Sequence, residues 1–239
     1  MKKIRSAAAL VLILALSLGF AGCRPALAKG LFEQNGNTCF YDDEGKLVYE
    51  NMKGWYAIDG KYVFIDRTSG KQVKGQTVNK INLDDEGYAV IDEYAEEKLP
   101  VLVKAREVVD GLREEGQSQD DLIMKCYKFV EDMPYLLKDY PITDHMGEYK
   151  CYDAHYANNL LNAYDDQLKL GGDCTSDAAC LAYLLDAAGL TEVFYLHTES
   201  HAWVKARGHF WDPLYIETKG MEWYDMPEYP DEPEYTVEI

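Results

Sequence analysis

Positive charge is what this chain has least of. Its 239 residues hold 24 Lys and Arg against 42 Asp and Glu, and no basic residue follows Lys219. A formal net charge of −18 excludes a surface that tracks nucleic-acid phosphates, because such surfaces work by placing cations on the backbone. It also repels anionic lipid and favours solubility. Long apolar runs are equally scarce: the uninterrupted one spans residues 7–21, directly after Lys2, Lys3 and Arg5. That is the layout of an export signal rather than of a helix that stays in the membrane. Two processing sites compete. Phe20-Ala21-Gly22-Cys23 reads as a lipobox that would leave Cys23 as a lipidated N-terminus, and Ala26-Leu27-Ala28 reads as an ordinary signal-peptidase site. The small residues before Cys23 favour the first. Residues 1–28 are therefore expected to be a leader, with the protein at the cell surface and touching membrane only through a lipid anchor.

What the chain does have is a dense stretch of chemistry. Gly171-Gly172-Asp173-Cys174-Thr175 opens a helical pattern in which Ala178, Leu181, Leu184, Leu185 and Ala188 recur at helical spacing up to Gly189. Asp173 is a good N-cap, which puts Cys174 in the first turn, where the helix dipole favours a thiolate and a lowered pKa is expected. Downstream, residues 201–206 and 209–214 read as two strands joined at Arg207-Gly208. With Ala206 opposite His209, Trp203 falls opposite Asp212 and His201 opposite Leu214. His201 and Asp212 then share one face as diagonal neighbours. Cys174 as nucleophile, His201 as base and Asp212 as the group that orients the imidazole make a complete set for acyl transfer.

The order Cys, His, Asp, with Gly-Asp-Cys opening a helix and His-Ala-Trp opening a strand, resembles the transglutaminase-like superfamily over roughly residues 120–215. The resemblance implies an α+β, papain-like core, with the cysteine helix packed on an antiparallel sheet that carries His201 and Asp212. It implies no cofactor, and a protein or peptide amide as substrate. Animal transglutaminases have Gln-Cys-Trp around the nucleophile; Asp173-Cys174-Thr175 is closer to the bacterial members. One oxyanion donor is expected to be the backbone N–H of Cys174. The second is an upstream side chain, with Tyr156, Asn158, Asn162, Tyr164 and Gln167 all open. With Cys23 lipidated and Cys174 catalytic, Cys39, Cys126, Cys151 and Cys180 allow one or two disulfides, whose pairing spacing does not choose.

Residues 35–91 differ in texture, with short aromatic runs, glycine punctuation and little helical periodicity. Phe40–Val48, Phe64–Val73 and Asn82–Val90 align at their Asp and Gly positions as hairpin signals. With Gly54-Trp55 between them, the segment resembles cell-wall-binding (choline- or glucan-binding) repeats. That implies ligand contact by Trp55, Tyr56 and Tyr62, with cell-wall polymer as a possible partner. The alternative is that these aromatics staple short hairpins together. The repeated acidic turns lack the ligand spacing of a calcium-binding loop. A β-hairpin module over 29–95, a transglutaminase-like domain over 96–220 and an acidic tail over 221–239 are the expected divisions. Helices are expected over 99–115, from Ser118 to about Val130, and over 152–165. The tail reads equally as a strap or as a free end. Two further function classes stand beside the enzyme: an inactive wall-binding or adhesion protein, and a zinc protein built on Cys151, His155, His197 and His201, which are paired four apart. No metal is assigned.

Overall fold

Sequence texture changes near residue 95, but the fold divides elsewhere. In the computed structural model, residues 29–136, 142, 146–162 and 172–239 are described. Cys23 and the leader, and also Tyr164 and Gln167, lie outside them. The chain forms two compact units, one ending at Asn51 and the other running from Met52 to Ile239. The first holds three antiparallel strands, β1 (Gly30–Gln34), β2 (Asn37–Tyr41) and β3 (Leu47–Tyr49), in that order.

The second unit is α+β, and its hairpins belong to its core. Strands β4 (Gly54–Ile58) and β5 (Lys61–Ile65) pair antiparallel, as do the short β6 (Thr77–Val78) and β7 (Ile81–Asn82). Trp55, Phe64, Ile81 and Leu83 are buried in one cluster with the first helix, α1 (Glu93–Leu112). This corrects the expected boundary. Residues 92–98, expected to link two modules, form the N-cap and first turns of α1, and the Asp92 side chain accepts the Ala95 N–H. Removing apolar area from water pulled the hairpins into the helical core, a long-range effect that local texture does not encode.

The aligned Asp and Gly positions have a common physical cause. Asp42 Oδ1 accepts the N–H groups of Glu44 and Lys46, Asp84 Oδ1 accepts those of Glu86 and Tyr88, and Asp66 Oδ1 accepts that of Ser69. Each carboxylate closes its own turn, and Gly45, Gly70 and Gly87 supply the positive φ that follows.

The second unit continues with α2 (Gln119–Glu131), α3 (Tyr152–Leu161) and α4 (Cys174–Ala188). Ser118 and Asp121 cap α2 reciprocally, as their spacing predicts. Between α1, α3 and α4 sits a buried polar cluster that periodicity does not reveal. Lys98 Nζ donates to Tyr94 Oη at 2.8 Å and lies 3.9 Å from Asp153, which also accepts from Tyr183 Oη and Cys151 Sγ. A cation this deep is tolerated because every partner is supplied.

Helix α4 packs on an antiparallel sheet ordered β10-β9-β8-β11, with β8 at Phe194–His197, β9 at Ala202–Ala206, β10 at His209–Trp211 and β11 at Tyr235–Glu238. The β9–β10 register is the one expected, with His209 opposite Ala206 and Trp211 opposite Val204. Arg207 and Gly208 both take positive φ in the turn. The second strand stops early, at Trp211. Pro213 cannot donate to a ladder but suits the first position of a helix, so the chain turns into α5 (Pro213–Lys219) with Asp212 as N-cap.

The acidic tail is a strap. Met226 exchanges two backbone hydrogen bonds with Phe210 on β10, and β11 pairs with β8 at the other end of the sheet. The segment thus crosses from one edge of the sheet to the other.

Candidate active site

Cysteine at the start of a helix needs a tight approach before it, and Gly172 supplies one. A Cβ at Gly172 would lie 2.3 Å from the Ser176 Cβ and 2.7 Å from Leu160 Cδ1. Gly172 also bonds across to residues 134 and 136, donating its N–H to Pro134 O and accepting from Leu136 N. Asp173 caps α4 by accepting the Thr175 N–H at 3.1 Å. Gly172→Ala is therefore expected to displace the first turn of α4 and lower the melting temperature by roughly 5 °C or more, the response to 1–3 kcal/mol of overpacking. Thermal unfolding monitored by circular dichroism checks this, and an unchanged melting temperature would contradict the tight approach.

Cys174 is 5% exposed, and the backbone N–H of Ala202, the residue after His201, lies near its sulfur. Helix α4 and the start of β9 therefore meet at the thiol. Burial pushes the Cys174 thiol up to about 12, with the neighbouring Asp173 and Asp177 carboxylates adding to the rise. This reverses the expectation of a lowered pKa: desolvation and negative neighbours outweigh the helix dipole. The resting group is a thiol. Asp177, one turn along α4, is itself pushed well up by burial and by Asp173, Glu217 and Asp212.

His201 lies just before β9, and its Nε2 meets Asp212 Oδ2 at 2.6 Å. The imidazole stacks on Tyr215 at 4.3 Å between ring centroids, with the planes 19° apart. Asp212 is fully buried. Its other oxygen, Oδ1, accepts the Tyr215 N–H at 3.0 Å, so the cap of α5 and the support of the imidazole are one carboxylate. Nε2 is occupied by Asp212, which leaves Nδ1 as the ring nitrogen free of that contact.

No protein-family model matches the chain, and none of the curated proteins matches it either. The site has to be read from its own geometry.

Of the five side chains open as second oxyanion donor, Tyr156 is buried and spent on Ile142 O at 2.6 Å, and Asn162 forms the C-cap of α3. Sequence reasoning missed Tyr135. Its hydroxyl lies near the backbone N–H of Cys174, and burial together with the nearby Cys174 and Asp173 pushes its pKa up to about 12. It also missed Tyr229 in the strap, whose hydroxyl donates to Asp212 Oδ2 at 2.5 Å. A run of tyrosines in an acidic tail carries no periodic signal that would mark one of them.

The aromatics with a suggested ligand role serve the interior instead. Trp55 is buried on Phe64 at 5.2 Å and donates its indole N–H to Asn79 at 2.8 Å. The buried Tyr56 is covered by the Arg106 guanidinium at 4.1 Å from its ring centroid, and Tyr62 packs half-buried against the same core. Stapling is what these contacts accomplish, because two of the three rings have no face left for a ligand.

The pairs considered for zinc are drawn to other partners. His155 stacks on Tyr149, His197 bonds Tyr152 Oη and Thr198 O, and Cys151 is turned to Asp153. Among the described residues, no group of three or more His, Cys, Asp or Glu is arranged to hold a metal. Cys39, Cys126, Cys151, Cys174 and Cys180 are all free thiols. A cavity between α1 and α2, bordered by Glu114, Gln117, Asp121 and Met124, contains none of the candidate residues.

Proposed function

We propose that this protein is an exported thiol enzyme of the transglutaminase-like kind, with a papain-like core, acting on amide or peptide bonds at the cell surface. The observation that carries the reading is the 2.6 Å His201–Asp212 contact next to β9, whose first residue, Ala202, lies beside the Cys174 sulfur. Cys174 attacks the amide carbonyl carbon while His201, through Nδ1, takes the thiol proton; because the resting group is a thiol, transfer accompanies attack. Asp212 holds the imidazole in that tautomer and stabilises the imidazolium. The carbonyl oxygen, now negative, accepts the Cys174 backbone N–H. As the tetrahedral species collapses, His201 returns the proton to the departing amine and a thioester remains. Water activated by the same imidazole then attacks the thioester carbon and releases the acid and the thiol. An amine in place of water would give cross-linking; the reading adopted is hydrolysis, which needs no second binding cleft.

Iodoacetamide alkylation with mapping of the labelled thiol tests this. Cys174 is expected to react first, because it is 5% exposed while Cys126, Cys151 and Cys180 are at most 1% exposed, and because it alone of these has a base proposed to take its proton. His201→Ala should slow labelling of Cys174 by about 10²-fold, the lower end of general-base assistance. Equal labelling of the deeper thiols, or no dependence on His201, would sink the assignment.

A further inference from the structure

Asp212 Oδ2 accepts two short hydrogen bonds, 2.6 Å from His201 Nε2 and 2.5 Å from the hydroxyl of Tyr229. The second donor comes from the strap. Tyr229 is half-buried and stacks flat on Trp203, 4.4 Å between centroids and 7° between planes, so its ring is fixed over the middle strand of the sheet. Trp223 meets the same ring edge-on at 5.9 Å. Burial and the adjacent Asp212 raise the Tyr229 pKa, so the phenol keeps its proton and acts as a donor.

We propose that Tyr229 is a positioning residue of the acyl-transfer site: its hydroxyl fixes the Asp212 carboxylate and disperses part of its charge, making the strap a working part of the centre. The inference rests on the functional reading given above. A buried carboxylate with one oxygen committed to a helix cap and the other to the imidazole can still rock about its bond to Cβ. A third donor removes that freedom. It also withdraws negative charge from Oδ2, which weakens the carboxylate's hold on a protonated imidazole. The charged and titratable groups around the carboxylate are few. Among the described residues they are His201 at its side, Tyr215 stacked on that imidazole with Lys219 over its ring, Asp177 on α4 with Asp173 and Glu217 acting on it, and Asp231 acting on Tyr229 from the strap.

The test is the pH dependence of Cys174 alkylation by iodoacetamide in the full chain, for the wild type, Tyr229→Phe, Asp212→Asn and the double variant. Phenylalanine keeps the stacking on Trp203 and removes only the hydroxyl. The expected result is that Tyr229→Phe moves the low-pH limb upward by about 0.5–1 pH unit, the part of one hydrogen bond to a charged group that is passed on to the ring. Labelling below the limb then falls about 3- to 10-fold. In the Asp212→Asn background, where His201 no longer serves as the base, the same replacement should leave the labelling profile unchanged. An unmoved limb in Tyr229→Phe, or an equal displacement in both backgrounds, would overturn the proposal, since a residue that only braces the fold has no route to that readout. Failure of the functional reading looks different: wild-type Cys174 would then show no His201-dependent limb at all.

Discussion

Asp212→Asn is expected to lower turnover of a peptide amide about 10⁴-fold, the size of the effect when a triad carboxylate becomes an amide, while the fold survives. Asparagine is as good an N-cap as aspartate, so its carbonyl oxygen can keep the Tyr215 N–H that Asp212 Oδ1 now accepts. The amide then presents NH₂ to His201 Nε2, where a carboxylate oxygen stood at 2.6 Å. A donor facing a donor drives the ring into the other tautomer. With its proton on Nδ1, the imidazole cannot take one from Cys174. Amine release from a peptide amide gives the rate, and thermal unfolding shows that the fold is intact. Retention of a tenth of the activity would remove Asp212 from the mechanism.

The second large effect concerns the hairpins. Deleting residues 29–51 is expected to leave a folded protein whose Cys174 still labels, because residues 52–239 form a compact unit with their own core. Extending the deletion through residue 95 should abolish cooperative folding. It would take Trp55, Phe64, Ile81, Leu83 and Ala95 out of that core, together with the cap of α1. Truncating one large buried aromatic costs roughly 3–5 kcal/mol, and a whole domain is stable by only about 5–15 kcal/mol. Four large apolar side chains exceed that margin. Circular dichroism melting of both truncations decides it: a sharp transition in the longer deletion would show that the hairpins are separable after all.

Much of the site was legible because its signals are local. The cap at Asp173, the stripe from Ala178 to Ala188 and the positive-φ stop at Gly189 each depend on neighbours a few residues away, and the structure reproduces them, while His201 and Asp212 meet although both lie beyond the paired residues of β9 and β10. The α1 start was misjudged by two turns, because propensity marks Leu99 more strongly than the cap at Asp92. Thiol acidity was read with the wrong sign. The dipole is visible in sequence, whereas the burial that overrides it comes from the sheet and α3 closing over Cys174. Tyr135 and Tyr229 were invisible for a related reason: each reaches the site through pairing across long sequence distances, Tyr135 through its bridge to Gly172 and Tyr229 through the strap. The Asp–Gly alignment was real as turn chemistry, although not as evidence of a shared binding role.

The strap also sets an order of events in time. Cys174, His201 and Asp212 are all translated before Tyr229 and β11, and a chain emerges N-terminus first. Helix α4 and the β9–β10 hairpin emerge ahead of residues 224–239. The carboxylate then lacks its third donor, and β8 lacks the partner that seals its edge. On the proposed reading, a nascent chain therefore carries Cys174 without a finished centre, and so does a chain cut and trimmed between Met226 and Tyr229. Completion of the strap is the step that turns a folded intermediate into the mature site.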